Sequence, residues 1–309
     1  MSNQWQQLIE IDPGWVSRQL NNHFYDFQDK VTLRGYTIKA SGTTLSPTGV
    51  VKELYGMLIP YVQSGKLNTQ QEIVAAMSLA TKFFGEKNTQ TDGKYGELLL
   101  FALVEAVLQC KMVAHKIRTL SNFKDQVKGG DGIFLGNYLI NGNEEKAYLI
   151  GESKIMGDYN SAISDALLSI DRFHDPSTAA EFYNTELIIA KDNLIIGDSV
   201  DLDELYDRLT PTTAEFREQN LIHPILLMYN SKNINEFEVK ANNNQELESF
   251  IKDEFIKRKD TVKRSILKKV QTYPNIKKVY LDFFLLPFND VDSFRNAMYY
   301  EIHGVPFKK

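Results

Sequence analysis

The chain has 309 residues, 43% of them hydrophobic, which is enough to bury a sizeable core and predicts an ordinary globular protein. Its 35 basic and 40 acidic residues give a net charge of −5, which excludes a general attraction to nucleic-acid backbones and leaves only local or delegated binding. The single cysteine, Cys110, excludes an internal disulfide and a cysteine zinc site, and the five histidines are scattered without metal-ligand spacing.

The N-terminal part of the chain, residues 1–88, is predicted to form a mostly helical flank that includes one strand at Val31–Lys39. Thr69 and Glu72 have the spacing of a capping box, in which the hydroxyl and the carboxylate each accept a backbone N–H bond at the start of a helix. This helix is expected to bury six side chains: Ile73, Val74, Met77, Ala80, Phe83 and Phe84.

A polar, turn-rich segment at Gly85–Gly93 separates this flank from residues 89–309, which we predict to be the core with a C-terminal helical extension. The segment Tyr95–Leu108 is apolar on every side and therefore predicts a buried helix. Glu97 lies in its first turn, where the helix dipole alone favours an acid. A role for Glu97 as a metal ligand is the alternative explanation.

Two apolar runs around Asn141-Gly142-Asn143 predict a β-hairpin. The first strand begins just after Asp131, and the second ends in Glu152-Ser153-Lys154. Because strand side chains alternate between faces, Glu152 and Lys154 point the same way and Ser153 points the other way. If the hairpin pairs these two ends, two carboxylates and one ammonium converge on a single spot.

The rest of the chain alternates helical and strand patterns. The predicted elements are a helix capped by Asp158, a helical pattern within Ser177–Lys191, a strand at His223–Tyr229, a long helix at Asn244–Val270, a strand at Val279–Pro287 and a closing helix at Val291–Ile302. This order predicts an α/β fold with a mixed central sheet flanked by helices. The long helix is rich in lysine and arginine, a pattern typical of a solvated face or of contact with nucleic acid or a partner.

An acid on a helix, an acid on a strand and a Glu-x-Lys pair, in this order and fold, resemble the PD-(D/E)xK superfamily with its restriction-endonuclease-like core. The matching positions are Glu97, Asp131, Glu152 and Lys154, while Gly130 stands where that superfamily has proline. Three segments are also similar to the HamA family of the bacterial Hachiman anti-phage system: Gly96-Glu97-Leu98-Leu99, Gly129-Gly130-Asp131-Gly132 and Gly151-Glu152-Ser153-Lys154.

The resemblance implies a metal-dependent DNA nuclease that works with a helicase subunit, which would deliver the DNA. It implies Mg²⁺, with Mn²⁺ as an alternative, bound by Asp131, Glu152, Glu97 and the Ser153 carbonyl, because hard oxygen donors suit these ions. Lys154 would orient the attacking water and stabilise the developing phosphorane charge.

Two alternatives stay open at the level of sequence. A nuclease acting on RNA would use the same residues. A non-catalytic subunit that docks onto a helicase would instead use Glu152 and Lys154 as an ordinary ion pair.

The sequence contains neither a secretion-signal pattern nor a run of roughly eighteen apolar residues, so we expect a cytoplasmic protein that makes no membrane contact.

Overall fold

The computed structural model describes residues 4–63, 67–85, 93–114, 131–177 and 201–307. Gly129, Gly130 and, apart from Ser177 itself, the helical pattern predicted within Ser177–Lys191 lie outside these residues. None of the helices in these ranges combines the length and the apolar character that a membrane span needs.

The described elements follow one another along the chain in a mixed order. The helices are α1 (Gln4–Gln7), α2 (Trp15–Gln19), α3 (Thr48–Gly56), α4 (Leu58–Val62), α5 (Gln70–Phe84), α6 (Lys94–Leu103), α7 (Tyr159–Phe173), α8 (Leu202–Arg208), α9 (Ala214–Arg217), α10 (Lys232–Lys240), α11 (Asn244–Val270) and α12 (Val291–His303). The strands are β1 (Leu20–Gln28), β2 (Val31–Ile38), β3 (Ala40–Ser41), β4 (Thr44–Leu45), β5 (Lys111–Ala114), β6 (Ile133–Ile140), β7 (Asn143–Ile150), β8 (Glu152–Met156), β9 (Asn220–Asn230) and β10 (Tyr280–Phe288). A π-helical turn, Val104–Leu108, continues α6.

One large sheet forms the centre of the molecule, with strand order β1-β2-β10-β9-β7-β6-β5, and β8 pairs with β9 beyond the end of β7. Strand β9 runs parallel to β10 on one side and to β7 and β8 on the other. The pairs β1–β2, β6–β7 and β5–β6 are antiparallel. The sheet is therefore mixed and has helices packed on it, which confirms the predicted fold class.

Both faces of the sheet are covered, as neighbouring residues of β9 show. Leu226 and Met228 belong to an apolar cluster that includes α3, α4, α6 and α12. Ile225 and Leu227 belong to a second cluster, which includes α7 and the C-terminal part of α11. A strand that is buried on both faces is apolar at every position, which explains the continuous apolar run of the predicted internal strand.

The predicted hairpin is confirmed, and its second strand is interrupted. Asn141 and Gly142 have φ angles of 52° and 85°, the left-handed pair that a two-residue hairpin turn with the right twist needs. At the open end, Ile133 pairs with Ile150. Gly151 then separates β7 from β8; a Cβ atom at Gly151 would lie 2.8 Å from a methyl carbon of Leu100, so α6 packs closely on this point.

The described part of the N-terminal flank contains the helices α1 to α5, and it also provides the strands β1 and β2 of the central sheet. The capping box of Thr69 and Glu72 is confirmed at the start of α5. The predicted inward face of α5 is wrong in part, because Ile73 and Val74 are 47% and 62% exposed. The helix packs instead through a narrow stripe at every fourth residue: Ala76, Ala80 and Phe84.

Candidate active site

The open end of the hairpin places Asp131 beside the start of β8. The Asp131 N–H donates to the Gly151 carbonyl at 2.7 Å, and the Gly151 N–H donates to the Gly132 carbonyl at 3.0 Å. The antiparallel pairing of β6 and β7 therefore continues beyond Ile133 and Ile150, with Gly132 opposite Gly151. As the sequence predicts, the two polar ends of the hairpin lie side by side.

Glu152 and Lys154 share one face of β8, the face that α7 covers. Lys154 Nζ lies 2.6 Å from Glu152 Oε1, and the Ser169 hydroxyl of α7 donates to Glu152 Oε2 at 3.1 Å. The Glu152 side chain is only 6% exposed, whereas that of Lys154 is 29% exposed. The carboxylate is thus fixed from both sides, and the ammonium reaches towards solvent.

Asp131 is hydrogen-bonded to Ser153, the residue between Glu152 and Lys154. Its Oδ2 atom accepts two bonds of 2.6 Å from Ser153, one from the backbone N–H and one from the hydroxyl. Helix α6 closes the other side of Ser153, because a Cβ atom on Gly96 would lie 3.0 Å from the Ser153 hydroxyl oxygen. Glycine at position 96 therefore permits the close approach of α6 to the site strand.

Glu97 lies one residue beyond this contact and is half-buried. The Tyr61 hydroxyl of α4 donates to its Oε2 atom at 3.3 Å. Within the described residues, no three His, Cys, Asp or Glu side chains are grouped so that they could hold a metal ion. The structure thus places Asp131 on the residue between Glu152 and Lys154, which pair with each other, whereas Glu97 is hydrogen-bonded to α4.

The electrostatics of the group follow from burial and from unequal charge. Burial, and then the neighbouring carboxylate of Asp131, raise the pKa of Glu152 to about 7, although Lys154 and Ser169 oppose this shift. Burial acts to lower the pKa of Lys154, but the carboxylates of Glu152, Asp131 and Asp165 outweigh it and raise that pKa above its usual value. Three acids, Glu152, Asp131 and the exposed Asp165 of α7, act on this one ammonium, so an additional cation would improve the charge balance.

The donor set fits Mg²⁺ or Mn²⁺. Carboxylate and carbonyl oxygens are hard ligands, and Mg²⁺ in proteins commonly binds one or two carboxylates and keeps several waters. Asp131 and Glu152 are the two carboxylates, and the Ser153 carbonyl lies on the strand between site residues. A third acid is not required for such a site.

Two features of this region are missed by reasoning from sequence. Ser169 lies 17 residues beyond Glu152; its only signal is a hydroxyl at the border of the inward face of an amphipathic helix. The other feature is a buried ion pair beyond α6, in which Lys111 Nζ lies 3.3 Å from Glu105 Oε1 and both side chains are fully buried. The sequence signal for this ion pair is Glu105, a single acid within an apolar helical segment.

The family of the chain follows from a comparison of its sequence with models of protein families. The model described as HamA matches residues 14–302, which include Glu97 and every residue of the group on β8. The chain has no match among curated proteins. The extent of the family match shows that this protein belongs to the HamA family, whose members are subunits of the Hachiman anti-phage defence system.

Proposed function

We propose that this protein is the metal-dependent DNA nuclease subunit of its defence system. The observation that carries the proposal is the position of Asp131 at the start of β8, where it is bonded to Ser153, the residue between the buried Glu152 carboxylate and the Lys154 ammonium. Hydrolysis of a phosphodiester needs a site that binds a cation, positions a water and neutralises the charge that builds on phosphorus.

Each residue has a chemical role in this proposal. Asp131 and Glu152 would bind the ion directly, the Ser153 carbonyl would add an oxygen ligand, and Glu97 would contact it through water. When bound, the ion supplies Lewis-acid stabilisation of the charge on the phosphoryl oxygens. Lys154 orients the attacking water and donates hydrogen bonds to the phosphate, a role that suits a compact ammonium with three donors.

The contacts of Glu152 suggest how substrate and ion are coupled. Both of its carboxylate oxygens accept a bond from this chain, one from Lys154 and one from Ser169. If Glu152 held the ion, the Lys154 ammonium, which is 29% exposed, would have room to turn towards solvent. In that position Lys154 would contact the water and the phosphate.

The proposed substrate is DNA, and the proposed partner is a helicase that delivers it. The resemblance to the Hachiman family supports this assignment, since the nuclease of that system works with a helicase. The net charge of −5 agrees with delivery by a partner, because a chain with excess acid attracts phosphate backbones weakly.

The test is degradation of linear duplex DNA in the presence of Mg²⁺, by the purified protein alone and with the helicase partner. We expect Glu152→Ala and Lys154→Ala to abolish cleavage. The matched control is the exposed pair of Lys146 and Glu218, whose charged atoms lie 4.0 Å apart, and whose alanine variants should cleave normally. Undiminished cleavage by both site variants would remove these residues from the mechanism.

A non-catalytic docking protein is the second candidate. The 2.6 Å contact between Glu152 and Lys154 favours it, because these two charges already satisfy each other. Calorimetric titration with Mn²⁺ separates the two candidates: a nuclease site binds the ion and loses it in the Glu152→Ala variant, whereas an ordinary ion pair shows no carboxylate-dependent binding. Digestion of mixed DNA and RNA substrates tests the RNA alternative.

A further inference from the structure

The C-terminal half of α11 carries a concentration of positive charge that the proposed reaction does not use. Between positions 257 and 269 the only acid is Asp260. The seven basic residues are Lys257, Arg258, Lys259, Lys263, Arg264, Lys268 and Lys269.

Four of these seven cations bind an acid of this chain or a carbonyl of another helix. The contacts of Lys259, Lys263 and Lys269 fix the helix on the body of the protein, and the contacts with acids offset part of the positive charge. The contacts are Lys259 and Lys263 with Asp26 at 3.0 and 2.7 Å, Arg258 with Glu254 at 2.6 Å, and Lys269 with the Asn160 carbonyl at 3.0 Å.

The other three, Lys257, Arg264 and Lys268, are exposed, and we refer to them as the outer cationic stripe. Arg264 Nε donates to the Asp260 carbonyl within the helix at 3.3 Å, a contact that leaves the guanidinium charge in place. The spacings of seven and four residues put the stripe on one face of a helix with 3.6 residues per turn. The buried Ile266 lies on the opposite face. The stripe therefore points away from the protein over a length of about 16 Å.

The stripe lies on the same helical layer that covers the face of the candidate active site. Glu152 and Lys154 are in register with Ile225 and Leu227 of β9, whose side chains pack under α7 and α11. The two helices are tied together by the Lys269 contact to α7. Both features thus belong to one side of the sheet.

The acidic group at β8 and the outer cationic stripe would act on different parts of a DNA substrate. The group at β8 has more carboxylates than ammonium groups, so by itself it repels a polyanion. A duplex carries one negative charge per about 1.7 Å of its axis, so a row of cations about 16 Å long faces several phosphates at once. Holding the backbone on separate cations would keep the substrate on the side of the sheet where the acidic site lies.

We propose that the outer cationic stripe binds the phosphate backbone of the duplex DNA that this protein cuts. This inference rests on the proposed nuclease function and names the surface that holds the substrate. Three exposed cations can neutralise about three phosphates, which agrees with weak binding by the isolated chain and strong dependence on salt.

The test measures binding of the full chain to a labelled short duplex by fluorescence anisotropy, without divalent metal, between about 50 and about 200 mM salt. The stripe variant is Lys257→Ala with Arg264→Ala and Lys268→Ala. The control loses the same charge from exposed lysines on other helices, by Lys52→Ala, Lys82→Ala and Lys240→Ala.

We expect the slope of log K against log salt to become shallower by about 2 to 3 in the stripe variant, since each lost phosphate contact removes about 0.9. The control should change the slope by less than about 1. Equal slopes in the two variants would overturn the proposal. So would a stripe variant that binds DNA normally and instead loses the purified helicase partner, because the surface would then be a protein contact.

The Glu152→Ala variant keeps this proposal separate from the nuclease proposal. It should bind the duplex with the wild-type slope and should not cleave it. If it loses cleavage while the stripe variant keeps its slope, the nuclease proposal stands and the stripe proposal fails. If the Glu152→Ala variant still cleaves while the stripe variant has a shallower slope, the stripe proposal stands and the nuclease proposal fails.

Discussion

At the scale of single residues, the Ser169 hydroxyl holds the Glu152 carboxylate from α7 at 3.1 Å. We predict that Ser169→Ala weakens Mn²⁺ binding about 10-fold to about 100-fold, because losing a hydrogen bond that orients a metal ligand typically has this effect. Ser169→Thr should restore most of the affinity. Calorimetric titration with Mn²⁺ measures both.

The control for this prediction lies on the same helix. The Ser164 hydroxyl donates to the Asn160 carbonyl at 2.6 Å and does not contact the site, so Ser164→Ala should bind Mn²⁺ like the wild type. Equal affinities in the Ser169→Ala and Ser164→Ala variants would show that Ser169 has only a packing role.

The raised pKa of Glu152, about 7, predicts how metal binding changes with pH. A metal ion binds the deprotonated carboxylate, so protons compete with it below about pH 7. Mn²⁺ affinity should therefore fall as the pH is lowered from 8 to 6, by about 10-fold per pH unit once Glu152 is mostly protonated. An affinity that stays constant across this interval would contradict the proposal that the buried Glu152 binds the metal ion.

At the scale of elements, the π-helical turn after α6 places Glu105 inside the protein opposite Lys111 of β5. Burial is the main cause that raises the pKa of Glu105 to about 7, and the Lys111 ammonium opposes it. Glu105 Oε1 also accepts the Met112 N–H at 2.9 Å. Helix, turn and strand are therefore joined by one buried carboxylate.

We predict that Lys111→Met lowers the free energy of unfolding by about 3 to 5 kcal/mol at pH 8, because it leaves a buried carboxylate without its counter-charge. The double variant with Glu105→Gln should recover most of this loss, since glutamine can still accept the Met112 N–H. Urea unfolding measures both. A double variant as unstable as the single one would show that packing of the lysine stem, and not charge, dominates.

The elements with strong local signals could be predicted from the sequence. The Asn141-Gly142 turn and the capping box of Thr69 and Glu72 depend on residues only a few positions apart, and both are present. The alternation of side chains along a strand likewise placed Glu152 and Lys154 on one face.

Features that depend on distant contacts could not be predicted in this way. The strand β1 pairs with β2, but its aromatic and polar residues lack a clear alternation. The exposure of Ile73 depends on how α5 lies on its neighbours. The bond from Ser169 to Glu152 exists only because α7 packs on β8, and no local pattern encodes that distance.

At the scale of the whole molecule, the N-terminal flank and the rest of the chain share one sheet. Strand β2 pairs in parallel with β10 from Val31 to Gly35. The Arg34 guanidinium binds the fully buried Asp282 carboxylate at 2.8 Å, and the Tyr138 hydroxyl donates to the same carboxylate at 2.8 Å. The flank therefore supplies both the neighbour of β10 and the counter-charge of a buried acid.

The division of the chain at residue 88 can be tested by expressing residues 89–309 alone. We predict that this fragment is insoluble or unfolds without a cooperative transition, because it exposes the edge of β10 and leaves Asp282 without Arg34. Circular dichroism during urea unfolding gives the measurement, and Arg34→Met in the full chain isolates the charge effect from the loss of β2. A soluble fragment with a sharp transition would show instead that residues 1–88 are a separate unit added to a self-sufficient core.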